Sequence, residues 1–307
     1  MALRITEFFG RTPLAVSSLE DVAAKRCPFV NGKCIKPDHG ACSLEMASGD
    51  PIIACPNRLY AESYKILTDI SDRVFGFSSK LVKAADIKGL ADTSALQGNE
   101  VAVFGRYWGQ ELPLKRPKGK NAESSGTYFM DWILARVDQN GKLAEFTAVE
   151  VQTIDTTGTY RAQSDALFNN HAYTDGGWSN SGFSSKAGMN WENVNKRILP
   201  QLIYKGQVLR REQKCSKGLF FVCPKQVLEK IKARLGHNMQ PYVVANSTIT
   251  FRSYELGPSV ANQEFRKLQF VEEFTTGVDE VARALTFPNN LPEMNTYEAA
   301  INLALKA

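Results

Sequence analysis

The sequence predicts an α/β fold on three observations: segments with helical apolar spacing, short β-rich runs of which two form a hairpin signal, and a cysteine-bearing N-terminal stretch with little regular structure of its own. From Ala61 to Phe75 the residues Tyr64, Leu67, Ile70 and Val74 recur at helical spacing. Val101–Phe104 reads as a short buried strand or the apolar side of a helix. Residues 127 to 153 hold two β-rich runs, TYFMDWILARV and LAEFTAVEVQT, around Asn140-Gly141, the strongest short-range hairpin signal. Downstream, Asn190 can cap a helix carrying Trp191, Val194 and Ile198, which Pro200 should kink or restart. Gly218 to Val222 reads as a strand and Pro224 to Leu235 as a helix, with Cys215 and Cys223 packed beside that strand.

The 307 residues carry 37 Lys and Arg against 32 Asp and Glu, a net charge of +5, so nucleic acid is allowed as a partner but not implied. The N-terminus lacks a basic start followed by an apolar run, and nowhere do about 18 apolar residues follow one another without charge. A soluble, unexported, cytoplasmic protein without membrane segments is expected. In a reducing compartment a cysteine cluster points to metal before disulfides.

Four of the six cysteines, Cys27, Cys34, Cys42 and Cys55, fall in a segment broken by Pro28, Gly32, Pro37, Gly40, Gly49 and Pro51. Four converging thiolates suit Zn²⁺ or a single iron and leave no open position, hence a structural role; the alternative is four independently buried small residues. The organisation expected is a four-cysteine metal-binding subdomain over 1–60 and a second, larger domain over 61–307.

If Asn140 and Gly141 are the central turn residues, Gln139 faces Lys142 and, counting outward, Asp131 lies directly across from Glu150. Gln152 shares their face, two residues on. Opposed side chains have Cβ atoms roughly 4.5–5.5 Å apart, where like charges repel. A shared proton or Mg²⁺ would offset that repulsion, unless the pair is an accident of an exposed face. Phe129, Ile133, Phe146 and Ala148 flank the trio in an apolar stripe. Glu111 is the nearest upstream carboxylate able to join them, and Lys115, Arg116, Lys118 and Lys120 form a basic loop able to grip phosphates. A long Gly/Ser/Asn-rich loop, Thr174 to Asn190, follows the hairpin; in and before it stand the polar residues Arg161, Asn180, Lys186 and Asn190.

Glu7-Phe-Phe-Gly10, Cys27-Pro-Phe29, Cys34, Gly40-x-Cys42 and Cys55-Pro-Asn-Arg58 together resemble the N-terminal region of the NotI restriction endonuclease family. Asp131-Trp-x-Leu-Ala135, Glu150-Val-Gln-Thr-Ile-Asp155, Asn193-Val-x-Lys-Arg197, Gln201 and Tyr204-Lys205 continue the resemblance in order, to about residue 230. It implies a PD-(D/E)XK nuclease core, a central mixed sheet flanked by helices, with Asp131 and Glu150 as its acidic residues, Gln152 in place of the usual lysine, and Glu111 aligned with a further acidic residue. It also implies iron at the four cysteines. The reading that follows is a Mg²⁺-dependent Type II restriction endonuclease of the bacterial cytoplasm, acting as a homodimer on a palindrome in double-stranded DNA, GC-rich by analogy, and leaving 5′-phosphates; Arg161, Asn180, Lys186 and Asn190 are then candidates for reading bases. The positive charge missing at Gln152 is then expected from a second Mg²⁺ held partly by Glu111, or from a nearby Lys or Arg. A non-specific repair nuclease and a non-catalytic, metal-stapled DNA-binding protein are the alternatives.

Overall fold

The computed structural model describes residues 3–13, 24–36, 40–46, 49–114, 128–168, 187–236, 239–258, 265–287 and 291–305. Along the chain, β1 (Leu3–Phe8), β2 (Arg26–Cys27), β3 (Gly32–Lys33), β4 (Ala41–Met46) and β5 (Ile52–Ile53) precede α1 (Ala61–Phe75), β6 (Lys80–Lys83), α2 (Ile87–Asp92) and β7 (Glu100–Gly105). Then come β8 (Pro113–Leu114), β9 (Tyr128–Phe129), β10 (Trp132–Val137), β11 (Leu143–Val151), α3 (Arg161–Phe168) and α4 (Leu199–Leu209). The chain closes with β12 (Leu219–Pro224), α5 (Lys225–Leu235), β13 (Thr248–Leu256), β14 (Leu268–Gly277), α6 (Val278–Thr286) and α7 (Thr296–Leu305).

Seven strands form one mixed sheet in the order β14-β13-β12-β11-β10-β7-β6. β12 runs parallel to both β11 and β13, whereas β10 pairs antiparallel with β11 and with β7. Helices cover both faces, which is why the interior strand β12 reads Leu-Phe-Phe-Val-Cys-Pro, buried at every position rather than alternating. On one face Ile66, Leu67, Ile70 and Val74 of α1 pack on Val101, Val103, Trp132, Leu134, Val149 and Val151. On the other, Leu199, Leu202 and Leu209 of α4 join Val227 and Ile231 of α5 and Val278 and Val281 of α6 over Ala148, Phe221 and Phe251. A second sheet, β1-β4-β5, sends Leu3, Ile5, Phe8, Leu44 and Ile52 into this same core. The N-terminal segment therefore shares apolar packing with the large sheet.

The local expectations fare unevenly. α1 spans the expected residues, entered through a left-handed turn at Glu62, Ser63 and Tyr64 with φ 57°, 56° and 62°. Val101–Phe104 is a strand, and Pro200 restarts the helix: a π-helical turn over Val194–Ile198 leads into α4 with Pro200 in its first turn, where a missing N–H costs nothing. At the hairpin the central turn residues are Gln139 and Asn140, one position earlier than expected. Gly141 N–H bonds Asp138 O at 2.9 Å, Gly141 has φ +72°, and the Asp138 carboxylate caps the N–H groups of Asn140 and Lys142. Asp138 thus shifts the turn by offering a side-chain acceptor at its start. Register irregularity between Arg136 and Val137 restores the expected pairing beyond, Arg136 with Glu145 through Trp132 with Val149. β13 and β14, the most extensive strand pair, were not expected from the sequence. Lys115, Arg116, Lys118, Lys120, Asn180 and Lys186 lie outside the described residues, as does most of the Gly/Ser/Asn-rich stretch.

Candidate active site

Asp131 immediately precedes β10 and Glu150 is the penultimate residue of β11, so the ladder that aligns Trp132 with Val149 brings the two carboxylates to one end of the hairpin. They interlock through backbone donors. Asp131 N–H approaches Glu150 Oε2 at 3.4 Å, and Val151 N–H donates to Asp131 Oδ2 at 2.8 Å. Ala148 is buried and Ile133 and Phe146 partly so, giving the pair the apolar surroundings the alternation implies, whereas Phe129 is exposed.

Burial acts first on both acids. It pushes Glu150 from its ordinary 4.5 to about 7, with the Asp131 charge adding to the rise and Lys205 opposing it. Burial also raises Asp131, opposed by the Val151 N–H and Lys205 and reinforced by Glu111. A low-dielectric pocket holding two like charges favours a shared proton or a cation.

Lys205, part of the family resemblance, is the residue whose place at the site sequence reasoning missed. It lies on α4, whose buried positions are Leu199, Leu202, Lys205, Gly206 and Leu209, so a lysine occupies the apolar stripe of an amphipathic helix. Its side chain is 6% exposed and its Nζ donates to Glu150 Oε1. The signal available beforehand was a charged residue at a helix position whose neighbours one turn away on either side are leucines. Gly206 lets α4 approach α6, because a Cβ there would stand 2.7 Å from Val278 Cγ2.

The other expected residues are less closely gathered. Gln152 follows the end of β11; its N–H donates to Val222 O at 3.0 Å and its side-chain amide reaches Thr153 O at 3.5 Å. Glu111 is exposed, just beyond the bridge joining Gly105 and Gln110, and acts on Asp131 through its charge. Arg161 opens α3, exposed, with Asp165 3.8 Å away. The Asn190 N–H donates to Asp155 O at 2.7 Å.

Among the described residues no group of three or more His, Cys, Asp or Glu is drawn together to hold a metal ion. What stands at the hairpin is a pair of hard oxygen donors, which suffices for Mg²⁺, an ion that takes one or two carboxylates and fills its remaining positions with water and phosphate oxygens. The four N-terminal thiols are free, Cys42 and Cys55 buried and Cys27 and Cys34 half-buried. They lie within electrostatic reach of one another: burial raises Cys55 to about 11, and Cys27 and Cys34 add to the rise. They are not gathered at ligating distance, so the four-thiolate metal centre expected from the sequence is not assembled in the structure. Beside them Arg58 and Glu7 form a fully buried ion pair.

No helix among the described residues is long and apolar enough to cross a membrane. No curated protein matches the sequence. Residues 17–224, more than half of the chain and including β10, β11, α4 and β12, match the family model described as restriction endonuclease NotI. The chain thus belongs to the NotI restriction endonuclease family, Type II enzymes acting on double-stranded DNA.

Proposed function

We propose that this protein hydrolyses double-stranded DNA in a Mg²⁺-dependent reaction at a specific palindromic site, GC-rich by family analogy, leaving 5′-phosphates. The observation that carries the reading is the buried Asp131–Glu150 pair on one hairpin end, inside the family-matched region. The seven-stranded sheet with helices on both faces would be a PD-(D/E)XK core, the catalytic and DNA-recognition domain over 61–307, with 1–60 as the metal-binding subdomain.

Asp131 and Glu150 would hold Mg²⁺, with Glu111 next to them, and the ion when bound supplies Lewis acidity and neutralises charge on the phosphate. The protein's own groups then set the geometry. Val151 N–H fixes Asp131 Oδ2 and Asp131 N–H steadies Glu150 Oε2, so both acids are oriented by backbone before substrate arrives. The water oxygen bonds to phosphorus as the water gives up a proton, the P–O3′ bond breaks, and the 3′ oxygen gains a proton, a net transfer from water to the leaving group. Gln152, neutral at every working pH, would orient water or metal. Lys115, Arg116, Lys118, Lys120, Arg161 and Lys186 would contact DNA, Asn180 and Asn190 being further candidates for reading bases. Two copies related by a two-fold axis would match a palindrome in the bacterial cytoplasm. Cys27, Cys34, Cys42 and Cys55 would bind one iron or zinc ion on closing to ligating distance, a reading supported by their soft donor chemistry.

The test is digestion of supercoiled plasmids and phage DNA with Mg²⁺ by wild type and Glu150→Ala. Discrete fragments bearing 5′-phosphates, lost in the variant, are expected; no cutting by wild type refutes the reading, and a smear replaces site-specific by non-specific cleavage. Elemental analysis of the purified protein decides the cysteine metal.

A further inference from the structure

We infer that Lys205, carried by α4, is the fixed cation of the nuclease site and replaces, from a different element, the positive charge that Gln152 cannot provide; this rests on the proposed nuclease activity. The supporting observations concern placement. Lys205 Nζ donates to Glu150 Oε1, while Glu150 Oε2 faces Asp131 N–H, so each oxygen of Glu150 has a donor of its own. The lysine is buried at a position where α4 otherwise turns leucine inward. Burying an ammonium among leucines is costly unless a charged partner meets it, and a site whose partner is a metal-binding carboxylate is a costly place to keep a lysine for packing alone. Gly206, the next residue, allows the close approach of α4 to α6 that sets the helix depth.

Charge balance sharpens the assignment. Asp131, Glu150 and Glu111 contribute three negative charges and Lys205 one positive, a local sum that a single divalent cation neutralises. Lys205 therefore supplies, from the protein itself, part of the positive charge that a second Mg²⁺ at Glu111 would otherwise bring. Lys205 is a positioning residue: it holds Glu150 and sets the field at the phosphate while touching the carboxylate. A cation held 55 residues along the chain from its partner can serve the strand because the contact is made across the helix–sheet interface.

Three variants test this: Lys205→Met, Lys205→Arg, and Gln152→Lys combined with Lys205→Met. Single-turnover plasmid cleavage in Mg²⁺ is read beside Mn²⁺ binding to the DNA-free protein. Lys205→Met is expected to cleave at least ~100-fold more slowly while binding Mn²⁺ at least threefold more tightly, because removing a neighbouring positive charge favours the metal. A purely structural role would weaken both. The double variant, with lysine moved onto the strand, is expected to regain at least tenfold in rate, and Lys205→Arg to fall between wild type and Lys205→Met. If Lys205→Met is insoluble, Lys205→Arg carries the test through the same two readouts, and cleavage within threefold of wild type or weaker Mn²⁺ binding by it overturns the assignment. Cleavage by Lys205→Met within threefold of wild type, weaker Mn²⁺ binding, or a double variant no better than the single would overturn the assignment with the nuclease reading intact. A wild type that cuts no DNA would overturn both.

Discussion

Replacing Arg58 by methionine removes the cation from an ion pair at the junction of three parts of the chain. Arg58 follows Cys55 on the turn into α1, Glu7 lies on β1, and the two side chains are 0% and 1% exposed. The guanidinium donates through Nε to Glu7 Oε2 at 3.0 Å, through Nη2 to Glu7 Oε1 at 3.2 Å and to Arg266 O at 2.6 Å, and lies 4.8 Å over the Phe29 ring. Taking one partner away leaves a buried charge without compensation, a loss of about 3–5 kcal/mol, and Glu7→Leu should cost a similar amount from the other side. Removing both charges is a different matter. Glu7→Leu with Arg58→Met substitutes apolar volume for the pair and leaves mainly Arg266 O without its donor, so it should cost only about 2 kcal/mol. The expected coupling is therefore at least ~3 kcal/mol, far above the few tenths seen for independent sites. Urea unfolding of the four proteins at pH 7.5, followed by tryptophan fluorescence and circular dichroism, measures it. Additive losses, or an Arg58→Met protein within about 1 kcal/mol of wild type, would refute the buried-pair argument.

Gly206→Ala gains about 0.5–1 kcal/mol of helix propensity but presses its Cβ to 2.7 Å from Val278 Cγ2, and overpacking of about 1–3 kcal/mol should win. The variant is expected to unfold at lower temperature and to cut DNA more slowly because α4 carries Lys205; adding Val278→Ala should recover both. Gly218, with φ +65° and a virtual Cβ 2.3 Å from Thr248 O, admits no side chain because the obstacle is backbone, so Gly218→Ala should cost at least ~2 kcal/mol in urea unfolding. Glu150 is raised to about 7, so the metal-free native state holds more protons than the unfolded chain between about 4.5 and 7. Its contribution to stability is complete below that window and lost as pH rises through it. Mg²⁺ binds the ionised form, so the rise in melting temperature with 5 mM-scale Mg²⁺ (order of magnitude, as for weakly held Mg²⁺) should be larger at pH 8 than at pH 5.5; equal rises would refute the prediction.

The hairpin was the most legible part of the sequence because its geometry is local. Alternation and a turn centred near Asn140-Gly141 place Asp131 across from Glu150, and the ladder from Trp132–Val149 to Arg136–Glu145 has that register even though Asp138 moves the turn by one residue. Helices and strands with strong apolar spacing, such as α1, α5 and β12, were legible for the same reason. Family membership was also readable in the sequence, since its motifs are short runs around Cys27, Asp131 and Glu150. The partner of Glu150 was not. Lys205 stands 55 residues away, and nothing in the periodicity of Leu199–Leu209 says which carboxylate its amine meets. That contact exists only when α4 lies across the sheet with Leu199 and Leu202 buried over Ala148 and Phe221. The β13–β14 pair and the Glu7–Arg58–Arg266 junction belong to the same class, being contacts between segments far apart in sequence. The sequence determined the acidic pair and its family because both are written in neighbouring residues. Tertiary packing alone decided which cation faces that pair, because the depth and direction of a helix on a sheet are set by side chains from several elements at once.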